Sequence, residues 1–144
     1  MKKNKKQRGQ ATIELLIIIT LIFAVLYGAA DYWMTMVRIQ QAEHVKNFYL
    51  DRARIEGCLT DVSRAELTDK MSKLGLSVTK ITAPTEPVKR SLNDYPIIEL
   101  NVETEFEKTP FMLGFFLGDE NNFKPTFYGK VFSEYAESPA PEEP

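Results

Sequence analysis

Residues 11–30, "ATIELLIIITLIFAVLYGAA", hold a single charged side chain, Glu14. From Leu15 onward only Thr20 and Gly28 interrupt a series of Leu, Ile, Val, Phe, Ala and Tyr. A helix of about 20 such residues covers the roughly 30 Å of hydrocarbon in a bilayer. The stretch therefore predicts a transmembrane helix over about 11–32, with Tyr32 and Trp33 where interfacial aromatics are expected. Glu14 is the anomaly. A carboxylate costs about 2.5–3.5 kcal/mol at the centre of a membrane helix and less near its end.

Charge gives the helix a direction. Lys2, Lys3, Lys5, Lys6 and Arg8 precede Gly9 with no acid among them, and Asp31 lies on the far flank. Basic residues stay on the cytoplasmic side, so the amino end is expected inside and the remainder outside. Of the 18 Lys and Arg residues five lie in this head; the other 13 face 20 acids, so the chain from Gln10 onward carries about −7. A body of that sign excludes a nucleic-acid partner, which needs a basic face.

Beyond the apolar run, no proline occurs before Pro84 and no glycine between Gly28 and Gly57. Helix formers dominate, Trp33, Met36, Val37, Val45, Phe48 and Ala53 recur at loose helical spacing, and Asp51 pairs favourably with Arg54. One continuous helix is expected over about 10–57, about 70 Å long at 1.5 Å per residue and ended by Gly57. Ser63-x-x-Glu66 matches a capping box for a second helix with Leu67, Met71 and Leu74 on one stripe and Gly75 as its stop. "LSVTKIT" predicts a strand, and Pro84, Pro87 and Pro96 predict a loop after it.

The clearest strand is "IIELNVETEFE". Ile98, Leu100, Val102, Thr104 and Phe106 alternate with Glu99, Asn101, Glu103 and Glu105, giving one buried and one acidic, solvated face. Calcium on that face lacks the organised loop of an EF-hand. "TPFMLGFFLGDENN" then predicts either a short helix packed on the core or an apolar patch for a subunit contact or the membrane surface. "PTFYGKVFSEYAE" predicts a last strand, and 138–144 a disordered acidic tail. The fold class is α+β: a long amino-terminal helix followed by a small antiparallel-sheet body over 58–137.

The residues that carry chemistry are sparse. His44 is the one histidine and Cys58 the one cysteine. Neither an internal disulfide nor a histidine-based metal cluster or triad can be built from them. Cys58 is expected as a small packed thiol at a helix end, or else in an intermolecular disulfide. With no phosphate-binding glycine loop, the chain is expected to be neither an enzyme nor a cofactor or metal protein.

The amino end has more than one reading. A cleavable secretory signal has a shorter apolar region followed by a small-x-small site. An uncleaved single-pass anchor, carrying an extracytoplasmic accessory or binding domain, has Glu14 snorkel to the inner interface. A cut between Gly9 and Gln10 would instead make Glu14 the fifth mature residue. "RGQATIEL" resembles the class III signal of type IV pilins and pseudopilins: a short basic leader (1–9), a glycine before the cut, and a glutamate five residues into an apolar helix. Gln10 stands where type IVa pilins commonly carry a bulky apolar residue. The long helix, alternating strand, "TP…LG…LG" insertion and closing "GKVFSEYAE" resemble the TadE-like pseudopilins of tight-adherence pilus systems.

That resemblance implies a pilus or pseudopilus subunit made as an inner-membrane precursor and assembled into an extracytoplasmic or cell-surface filament. It implies a prepilin peptidase, other pilin subunits and a pilus assembly platform with its ATPase as partners. It gives Gly9 and Gln10 the scissile bond, and Glu14 the task of meeting a neighbour's new amino terminus. Burial raises a carboxyl pKa, so an adjacent ammonium would offset the penalty and fix the axial register between subunits.

Overall fold

The computed structural model describes residues 5–90, 96–111, 114 and 124–136, with side chains from residue 11 onward. One helix, α1 (Lys5–Glu56, 52 residues), runs through the first third of the chain, about 78 Å at 1.5 Å per residue. It begins earlier than the expected start near 10. Helix α2 (Asp61–Lys73) and strands β1 (Leu76–Thr82), β2 (Ile97–Phe106) and β3 (Thr126–Phe132) follow. The sheet is antiparallel in the order β1-β2-β3, so the layout is a long helix followed by a small α+β body.

Gly57 and Gly75 end the two helices, as expected. Their φ values are +79° and +76°, the left-handed region that side chains with a Cβ avoid. Gly57 N–H donates to Ala53 O at 2.8 Å and Gly75 N–H to Ser72 O at 2.8 Å. The start of α2 differs from expectation. Its cap is Thr60, whose hydroxyl accepts from the Ser63 N–H, so Ser63 lies inside the first turn rather than before it. Cys58 and Leu59 turn straight into the core after Gly57, and the chain is ready to coil three residues sooner. Glu66 is thereby released from capping; it accepts from Arg52 Nη1 and Tyr49 Oη, each at 3.3 Å, and ties α2 to α1.

Strand β2 is central and follows its alternation. Ile98, Leu100, Val102 and Thr104 are fully buried, and each large apolar side chain among them stabilises by about 1.5–3 kcal/mol. On the opposite face Glu99 meets Lys130 at 2.7 Å and Glu105 meets Lys124 at 2.5 Å. That face is solvated yet less negative than its own sequence suggests. β3 ends at Phe132, short of the expected "SEYAE". Ser133 N–H donates to Pro96 O and Glu134 N–H to Arg54 O, so the chain leaves β2 to bind the preceding loop and α1.

The body is built on the distal half of α1. Ala42, Tyr49, Leu50 and Ala53 enter one core with Leu59, Leu67, Met71, Leu76 and the inner residues of β2 and β3. Of the apolar residues noted at helical spacing, Ala53 is buried and Val37 and Val45 half-buried, while Trp33, Met36 and Phe48 are exposed. The buried face includes instead Lys46, 3% exposed, whose Nζ donates to Tyr128 O at 3.0 Å and to the Glu43 carboxylate. Arg54 donates to Glu134 at 2.6 Å, and Asp51 adds the smaller attraction expected from its spacing.

Candidate functional site

The proximal half of α1 has no part in that core. An apolar window long enough to cross a membrane by length and composition is only 6% buried. Large side chains from Ile13 through Leu26 are exposed around the whole circumference, and Trp33 is 72% exposed. Burial of such side chains is worth about 1.5–3 kcal/mol each. An apolar collar of this extent is compatible with a membrane anchor by length and composition.

The three residues singled out in sequence lie together at the start of this collar. Gly9 and Gln10 belong to the first turns of α1. Glu14 follows one turn later, with an exposed side chain. The helix continues unbroken through the Gly9–Gln10 bond. Residues 1–4 of the basic head and the acidic tail lie outside the described residues.

At the other end of the collar, the segment after β2 returns along α1. Pro110 is buried there. The Phe111 ring lies edge-on to Tyr27, centroids 5.8 Å apart and planes at 69°. Phe111 thus leans on α1. Most of the expected "FMLGFFLG" helix lies outside the described residues; Phe111 and Gly114 are helical. This contact was hidden in sequence, because nothing in the spacing of 27 and 111 couples them.

Two other candidates resolve simply. His44 is exposed on α1. Cys58 is a buried free thiol packed where α1 ends; burial pushes its pKa above the ordinary 9.0, nearby Glu56 adds to this, and Arg64 opposes it. Among the described residues no three His, Cys, Asp or Glu side chains gather as a metal site would need. Lys46 was legible in principle: positions 42, 46, 49, 50 and 53 share one helical face, but a lysine there reads as solvent-facing until its partners are known.

No family model, curated protein or solved structure matches the chain.

Proposed function

We propose that the chain is a prepilin-like structural subunit, anchored by α1 and assembled through it into a tight-adherence-like pilus or pseudopilus. The single observation that carries the reading is the collar: an apolar helix left bare by its own body, with a glutamate in its opening turns. A filament core of such helices would cover that surface as lipid does before assembly. The peptidase would cut between Gly9 and Gln10, where glycine weakens the helix by about 1 kcal/mol relative to alanine. The new ammonium of one subunit would then sit against Glu14 of the next. The body, carrying its sheet at the distal end of α1, would be displayed outside.

Intact mass of protein extracted from membranes tests this reading. Loss of residues 1–9 is the expected result, and Gly9→Lys should block it. Unchanged maturation of Gly9→Lys defeats the assignment.

One observation favours a second reading. α1 is helical straight through Gly9 and Gln10, which suits an uncleaved single-pass anchor for an outer accessory or binding domain. Retention of Met1–Gly9 in the native protein would select it.

A further inference from the structure

Between α1 and the segment that follows β2 lies a cleft of about 400 Å³. One end is lined by Tyr27, Met34 and Phe111 with Asp31 among them; the other holds Arg38 and Lys108. The same two cations line an adjoining cleft of about 410 Å³, where Lys73 joins them. Arg38 is held beside the α2–β1 turn: a Cβ at position 75 would lie 3.7 Å from its Nη1. The acids in the two clefts are Asp31 and Glu107. Lys73 is already paired with Asp69 at 2.5 Å, whereas in the first cleft Arg38 and Lys108 face Asp31 alone, leaving one net positive charge there in a chain that carries about −7 from Gln10 onward.

The location of this charge matters as much as its sign. If the hydrocarbon ends near Tyr32, Tyr27 lies within it, and so does the Phe111 ring packed beside it. Arg38 is six residues further along α1, about 9 Å of rise. The headgroup layer occupies roughly 5–7 Å outside the hydrocarbon, and a long arginine or lysine side chain reaches across such a gap. The cleft therefore spans the boundary, apolar below except for Asp31 and cationic above.

We propose that this cleft holds one glycerophospholipid, its single phosphodiester between Arg38 and Lys108 and its acyl chains alongside the apolar half of α1. One net positive charge matches one phosphodiester. Asp31 and Glu107 disfavour headgroups of higher negative charge. The proposal rests on the membrane-anchored reading above, and adds to it a lipid bound at a defined place.

The full chain, purified from membranes in detergent and incubated with phosphatidylglycerol, tests this by native mass spectrometry. One retained phosphatidylglycerol per chain is expected. The Arg38→Gln/Lys108→Gln double variant should retain it roughly 30-fold less well, about one lost surface cation contact per residue. Arg38→Lys keeps the charge and should keep most of the lipid, and equal melting curves show that both variants fold. Diacylglycerol, which lacks the phosphate, should not be retained. Equal retention by the double variant overturns the proposal. So does displacement of the lipid by inorganic phosphate at equal concentration, which marks a free-anion site. Failure of the anchored reading shows separately and earlier, as recovery of the chain in the soluble fraction before any lipid is counted.

Discussion

Leu50 of α1 presses so closely on Gly129 of β3 that a Cβ at position 129 would lie 2.6 Å from Leu50 Cδ2. Helix and sheet meet here with no room for even a methyl group. Gly129→Ala should therefore destabilise the body by about 1–3 kcal/mol, the usual cost of overpacking. Urea unfolding followed by circular dichroism checks it, and Leu50→Ala should recover part of the loss in the Gly129→Ala background. No recovery would show that some other contact sets the spacing.

Lys46 lies next to that contact, buried with its ammonium on Tyr128 O and Glu43. Its aliphatic stem fills space between helix and sheet, and Glu43, 47% exposed, keeps access to water when the ammonium is removed. Lys46→Met should change stability by less than about 1 kcal/mol, whereas Lys46→Ala should lose about 2–3 kcal/mol by leaving a cavity. Equal losses from the two would mean that the charge, not the stem, holds the interface.

Gly57 combines a left-handed backbone with a neighbour: a Cβ there would lie 2.9 Å from Tyr135 Cβ. Gly57→Ala should cost at least about 1–2 kcal/mol from backbone conformation alone. If the Tyr135 contact adds to this, Gly57→Ala should be less harmful in a Tyr135→Gly background. A double-mutant cycle with no coupling would rule that contact out.

Cys58 should resist alkylation in the folded protein and react quickly once denatured. Its native thiol titrates above the ordinary 9.0, chiefly because it is buried. As pH rises past that value, the unfolded chain releases the proton first and gains stability. The folded body is therefore weakened between the ordinary and the raised pKa, by up to about 1.4 kcal/mol per pH unit. Below the ordinary value the effect vanishes. Cys58→Ala should flatten this alkaline limb relative to the parent; an equally steep decline in the variant would sink the assignment.

Glu14→Ala should insert into membranes at least as well as the parent, since it removes a group that costs up to about 2.5–3.5 kcal/mol in lipid. Under the proposed prepilin reading filament yield should nonetheless fall, because the partner ammonium would lose its counter-charge. Pili at normal yield from this variant, seen by electron microscopy, would contradict the register role.

Much of this architecture was legible because local rules and tertiary packing agree. The alternation of β2 holds from Ile97 to Thr104 since a sheet buries every second side chain, and fades at Glu105 and Phe106, both half-buried. Gly57 and Gly75 stop helices because glycine accepts their backbone angles without strain. The cap of α2 was misplaced by three residues: Thr60 and Ser63 both carry hydroxyls, and only the inward turn of Cys58 and Leu59 decides between them. The buried face of α1 was obscured because bulky Trp33 and Phe48 face outward, while small Ala42 and charged Lys46 face inward. The Tyr27–Phe111 contact depends on the path of the chain after β2, which no local pattern encodes. Of the candidate site, the collar and Glu14 were evident in sequence, but the Arg38–Lys108 cleft was not.

α1 is at once the bare collar and the central beam of the body, with no loop between the two roles. Tension applied near Glu14 is therefore transmitted along a single rod directly to Tyr49 and Leu50. The body cannot swivel on a slack tether to relieve that load. It either moves rigidly with the rod or yields by having those side chains drawn out from under the sheet, so its mechanical strength is set by that one packed seam.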